Sequence, residues 1–196
     1  MKRTHEQDQA LKQTSWINDV KTQWLVDEMG VDRKMRLLED FGFRADDTPQ
    51  GTWLVEAGEA VDGASIPPLL WTIVGPPFVG NYRRATVIHD VYCEHQGKVP
   101  WEEPRVRSSY DVHKMFLLAM LADHTDYAHA CVMYVAVALF GPRWPSERYV
   151  PARIQPMGVT DLRDIEGVVN EVLASGTPRD FESLQRELAL RFDLPR

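Results

Sequence analysis

Cysteine is scarce in this 196-residue chain, which has two, Cys93 and Cys131. So few exclude a small scaffold stapled by disulfides. Two buried free thiols are the expected state, and a single Cys93–Cys131 bridge is the other arrangement open to them. Positive charge is also short: 22 Lys and Arg stand against 29 Asp and Glu, a net charge of −7. Phosphate backbones are held by clustered cations, and no basic stripe occurs, so no nucleic-acid partner is expected. Long apolar runs are missing too. The longest, "ACVMYVAVALF" at 130–140, is closed by "GPRWP" and falls well short of the ~20 residues of a membrane-spanning helix. It reads as a buried core helix, and no transmembrane segment is expected. The N-terminal "MKRTHEQDQALKQTSW" lacks the apolar stretch of a secretory signal. The chain is therefore expected in the cytoplasm as synthesised, with delivery or release to the cell envelope left to a route without a signal peptide. Internal repeats and low-complexity tracts are absent.

What is present is a globular composition, 44% hydrophobic and 26% charged, with length enough for one domain with a true core. Three parts are expected: a polar, helical extension over 1–30, a core over 31–142, and a helical extension over 143–196. In the first, "SWINDVKTQWLVDEM" has the spacing of an amphipathic helix capped by Ser15. Residues 34–44 and 52–57, separated by "ADDTPQG", predict a β-hairpin. A Gly- and Pro-rich loop follows over 62–82, long enough to be functional. Helices are predicted at about 82–96, 109–123 and 125–140, the last stopped by Gly141-Pro142. A C-terminal helical hairpin is expected, one helix capped by Thr160 and one begun by Thr177-Pro178. The fold class is α+β, three core helices beside a small antiparallel hairpin.

Within "RRATVIHDVYCEH" (83–95) His89 and Asp90 sit side by side in an apolar helix. Burying either without a partner costs roughly several kcal/mol, so something must satisfy them. On a helical period Asp111 shares a face with Met115, Leu118 and Ala122. If the first two helices pack antiparallel, Asp111 reaches the ring of His89. An aspartate on one ring nitrogen would orient histidine as a general base. Asp90, a hundred degrees round the helix, would be free to ligate a hard cation such as calcium with loop carbonyls. Ordinary explanations exist for each. Asp111 suits the positive end of a helix, Asp62-Gly63 is a common turn dipeptide, and Ser65 lacks the G-x-S-x-G setting of a nucleophile. His95 suits a helix C-terminus. His113, His124 and His129 show no ligand spacing of the H-x-x-x-H or Cys-rich kind, so no structural zinc site is expected.

Taken together, "DGASIPPLLW", "GPPF", "ATVIHDVYC", "RSSYDVHKMFLLAM" and "MYVAVALFG" resemble the domain of unknown function 1353, carried by phages, prophages and bacteria. The resemblance runs from about Arg33 to Gly141. It rests on D-G-A-S-I-P at Asp62 to Pro67, on His89-Asp90 with Tyr92, and on Arg107 with Asp111 and Phe116. More distantly, the helix bearing H-D-x-x-Y is similar to that of phospholipases of the A(2) type. That similarity implies His89 as base, Asp111 as its orienting carboxylate, Asp90 as a ligand of Ca2+ and Tyr92 as a structural hydroxyl. Asp62 is the side-chain Ca2+ ligand the preceding loop could add, and Ser65 and Arg107 are expected in substrate or structural support. The disulfides of those enzymes are absent, and the loop offers no acid beyond Asp62.

The expected function is a hydrolase whose His–Asp dyad activates water against an ester, most plausibly in a phospholipid. Leu69, Leu70, Trp71, Ile73 and Phe78 would suit either a lipid-facing rim or a core plug. A phage or toxin setting would supply an immunity or secretion partner. Two alternatives stand: a non-enzymatic binding or assembly protein in which the histidine belongs to a buried polar network, and a cell-wall amidase or peptidase. Accessibility separates the first alternative from the enzymes. A base needs an open cleft above it, and a register-fixing network is sealed.

Overall fold

The computed structural model describes residues 13–26, 32–45, 51–62 and 80–144, with Leu11 and Gly167. From Ser15 on, six strands lie among the described residues: β1 (Ser15–Ile17), β2 (Thr22–Val26), β3 (Asp32–Leu37), β4 (Phe41–Arg44), β5 (Thr52–Val55) and β6 (Ala60–Val61). Three helices follow, α1 (Arg83–Glu94), α2 (Ser109–Ala122) and α3 (Tyr127–Phe140), with a 3-10 turn at Pro100–Glu102 between the first two. The strands form two antiparallel sheets, β1-β4-β5 and β2-β3-β6. The class is α+β, as the sequence predicts, and both cysteines are buried free thiols.

Of the helix expected over 15–29, the described part, 15–26, is instead the pair of strands β1 and β2. Asn18 adopts the left-handed region (φ 60°) between them, a conformation asparagine tolerates better than most residues. Asp19 then accepts a hydrogen bond from the Val20 amide at 2.8 Å. What decides the matter is distant in sequence. Trp16 lies opposite Phe43 across β1 and β4, and its ring packs on Phe41 and Phe43 with centroids 5.5 and 4.9 Å away. Such cross-strand pairing outweighs local periodicity. The segment therefore belongs with the core sheets.

The expected hairpin is β4–β5, with Phe43 opposite Trp53. Residues 34–44 are not one strand, however. Met35 and Leu37 are buried in one sheet and Phe41 and Phe43 in the other, and the polar step Glu39-Asp40 lies between. Asp40 stabilises that step by accepting from the Ala57 amide at 2.9 Å, and its carbonyl accepts from Asn18. Burying aromatics of this size stabilises by about 1.5–3 kcal/mol each, which pins both registers.

The helices lie close to their predicted bounds. α1 packs on α2 and on strands β5 and β6, and α2 packs on α3. Arg84, in the first turn of α1, is paired with Asp123 at the C-terminal end of α2, so the two run antiparallel as expected. Gly141 ends α3, its amide bonded to the Val137 carbonyl. No described helix is long and apolar enough to cross a membrane. The loop 63–79, with Ser65 and the apolar rim, and the C-terminal helical hairpin lie outside the described residues.

Candidate functional site

α1 exposes almost nothing. Every residue from Ala85 to Cys93 is buried, His89 and Asp90 included. His89 and Cys93 are four residues apart and so share one face. The partner of that face on α2 is His113, not Asp111. The His89 Nε2 and His113 Nδ1 atoms are 2.9 Å apart, and Phe116 covers the His89 ring with centroids 4.6 Å apart. Cys93 Sγ lies 3.6 Å from His89 Nε2. On the far side of the ring, Asp90 Oδ1 is 3.9 Å from Nδ1, beyond hydrogen-bonding distance.

Asp111 is occupied elsewhere. Ser108 caps α2: its hydroxyl accepts from the Asp111 amide at 3.0 Å and donates to the Asp111 carboxylate at 2.7 Å. This is a serine N-cap whose hydroxyl also engages the carboxylate at the third helical position, and no hydrogen bond joins Asp111 to His89. The reason lies in the helix faces. Asp111, Lys114, Leu118 and Ala122 are half-exposed, whereas His113, Phe116, Leu117 and Met120 are buried. α2 is sandwiched between α1 and α3, so its apolar residues run nearly all round; of the expected stripe only Met115 is buried, while Asp111, Leu118 and Ala122 lie toward the outside. Replacing Ser108 by Ala should cost about 1 kcal/mol in denaturant unfolding, the ordinary worth of a cap.

Burial governs the imidazoles. It pulls the His89 ring down to about 3. It also lowers His113 well below the ordinary imidazole value, with neighbouring His89 and Arg143 acting the same way and the Pro142 carbonyl opposing. Both rings are neutral near pH 7. A base that weak and without solvent contact is poorly matched to abstracting a proton from water.

Tyr92 and Arg107 meet in a second cluster. Arg107 is fully buried. Its Nε donates to Glu102 Oε2 at 2.6 Å and its Nη2 to Oε1 at 2.5 Å and to the Thr52 carbonyl of β5. The guanidinium lies 3.8 Å from the Trp53 ring centroid. The Tyr92 hydroxyl lies 2.8 Å from Glu102 Oε1 and 3.0 Å from the Leu54 carbonyl, sharing one proton between two acceptors. Burial first, then the Glu102 charge, keeps that proton on the phenol. The segment 97–107 folds back to make this possible. The Gly97 carbonyl (φ 74°) accepts from the Arg107 amide at 2.9 Å, and a Cβ on Gly97 would lie 1.9 Å from the Arg107 carbonyl oxygen. The clamp fastens α1 to β5, a structural task.

Asp62 follows β6 and Asp90 sits on α1. Two carboxylates fall short of the six to eight oxygens calcium takes, and the loop that was to complete them lies outside the described residues. Among the described residues one group has metal-ligand character: His89, Cys93 and His113, whose donor atoms lie within 4.8 Å of one another. The expectation that His113 serves no such group rested on spacing within one helix, but the donors come from two. Glu102 also escaped notice, lacking any pattern of its own. The other described histidines are peripheral: His95 pairs with Glu59 at 3.0 Å, His129 packs near Tyr82, and His124 is exposed.

Two curated relatives match the chain over 120 residues each. The chain is 41% identical over 120 residues to the uncharacterized protein y4jT of Sinorhizobium fredii (strain NBRC 101917 / NGR234), covering 61% of this chain and 32% of that one. It is 39% identical over 120 residues to the uncharacterized protein y4iH of the same strain, covering 61% and 46%. The match thus spans less than half the length of either relative. No solved structure matches. Residues 35–137, carrying the histidine pair, the cap and the Arg107 clamp, match the family described as protein of unknown function (DUF1353), and the chain belongs to that family.

Proposed function

We propose that the core domain works as a binding or assembly module and that His89 holds its helices in register instead of activating water. One observation carries this reading: His89 is fully buried, bonded to His113 beneath Phe116. A buried, hydrogen-bonded pair fixes the relative position of two helices because any slip leaves polar atoms unpaired in a low-dielectric interior. The two relatives are consistent with a module, since the matched region makes up only 32% and 46% of their lengths.

A hydrolase acting on a phospholipid, or on another envelope ester or amide, is the second reading. It is favoured by the buried Asp90 carboxylate beside the ring, which could orient His89 from the Nδ1 side. The two readings part in one experiment. Wild-type protein and His89→Gln would be incubated with mixed phospholipid vesicles, and separately with peptidoglycan, in calcium or in chelator, with products followed by mass spectrometry. The module reading expects no lysophospholipid, fatty acid or released peptide from either protein. It also expects diethylpyrocarbonate to modify exposed His124 and spare His89 in the native fold. Product released by wild type and lost in His89→Gln would establish the hydrolase instead, and calcium dependence would tie Asp90 and Asp62 to it.

A further inference from the structure

We propose that His89, Cys93 and His113 form a binding site for a single transition-metal ion of the zinc class, stapling α1 to α2. The donor set is two imidazole nitrogens and one sulfur, which suits a borderline-soft divalent ion and not calcium or magnesium. Tetrahedral zinc with ordinary bond lengths places sulfur and nitrogen about 3.6 Å apart and two nitrogens about 3.3 Å apart. Cys93 Sγ is 3.6 Å from His89 Nε2 and 3.8 Å from Nδ1, so it lies against the ring, and a rotation of the Cys93 side chain must carry it toward the Nε2 lone pair. The imidazole nitrogens, at 2.9 Å, need to open by about 0.4 Å, the difference from that spacing.

The local chemistry supports the same assignment. His89 would bind through Nε2, which leaves its Nδ1 facing Asp90. A carboxylate bonded to the distal nitrogen of a ligating histidine fixes the tautomer and raises ligand basicity; Asp90, at 3.9 Å, would have to close on Nδ1 to supply that bond. Both rings bind as neutral imidazoles. The Cys93 thiol gives its proton to solvent as the metal–sulfur bond forms, so binding releases one proton. The charge of Arg143 acts against a cation here, while the Asp90 carboxylate and the Cys93 thiolate offset it. All three ligands are at most 5% exposed, and with three protein donors a water would complete the four-coordinate shell. The claim does not depend on whether the domain turns over a substrate.

Cobalt(II) is the probe. The full chain, stripped by chelator and dialysed, would be titrated with cobalt while its absorption is followed. One equivalent per chain is expected, with a thiolate-to-cobalt charge-transfer band in the near ultraviolet, visible bands of a four-coordinate ion, and bleaching by zinc. Cys93→Ala should lose the charge-transfer band, whereas Cys131→Ala should keep it. Zinc should raise the thermal midpoint of wild type and of Cys131→Ala but not of Cys93→Ala. Should Cys93→Ala fail to fold, His113→Leu is the second variant, with the same expected loss of binding. No saturable binding by folded wild type would overturn the proposal. So would cobalt spectra unchanged in Cys93→Ala, which would place the ion elsewhere.

Discussion

Replacing Arg107 by Met should lower the unfolding free energy by about 3–5 kcal/mol, the usual cost of removing one partner of a buried ion pair. The guanidinium is fully buried, and at one stroke the variant deprives Glu102 of its counter-charge and the Thr52 carbonyl of a donor. The Glu102 carboxylate, only 10% exposed, would be left with the Tyr92 hydroxyl. Pairing Arg107→Met with Glu102→Gln removes the stranded charge, so the double variant should recover a substantial part of the loss. Urea unfolding of the three variants checks this. If Arg107→Met costs no more than an exposed substitution, the clamp does not fasten α1 to β5 as described.

The second large effect is on pH. In metal-free protein the native His89 and His113 rings resist protonation, while in the unfolded chain they titrate near the ordinary value of 6.5. Below about pH 6.5 the unfolded state therefore binds more protons, and stability falls as pH falls. The contribution is fully present above the unfolded value and for His89 is lost progressively down to about 3. At about pH 5 the loss from His89 alone is about 2 kcal/mol, and His113 adds in the same direction. The groups facing the pair are Asp90, Cys93 and, beyond α3, Arg143. Chemical denaturation between pH 7.5 and 5 in chelator should show the decline, and His113→Leu should flatten it. A profile unaffected by that substitution would mean that other groups set it.

The helices were legible because their signals are local. Apolar residues recur at helical spacing, Ser108 and Asp126 cap α2 and α3, and Gly141 stops the last. β1 and β2 were not, because Trp16 and Ile17 are held by residues of β4 more than two dozen positions away, which no local window reports. β6, two residues long, has too few positions for a period to show.

The polar residues divide in the same way. His89 and Asp90 stand out because they interrupt an apolar helix, and burial of both was foreseeable. Which carboxylate or ring meets them was not, because α2 is apolar on nearly every side and its pattern leaves the inward face undecided. A count of aromatic residues would have helped. Phe116, one turn from His113, lies beside the His89 ring. Glu102 became visible only through Arg107 and Tyr92, which converge on it from separate segments.

The central claim is that His113, and not Asp111, is the partner of His89. Double-mutant cycles test it most directly, using His89→Leu with His113→Leu and with Asp111→Ala, by urea unfolding in chelator at about pH 7.5. Contacting groups couple by roughly 0.5–3 kcal/mol and independent ones add to within about 0.5. The structure predicts coupling within that range for the histidine pair and additivity for His89 with Asp111. Coupling between His89 and Asp111, with additivity between the histidines, would contradict the account and restore the catalytic dyad.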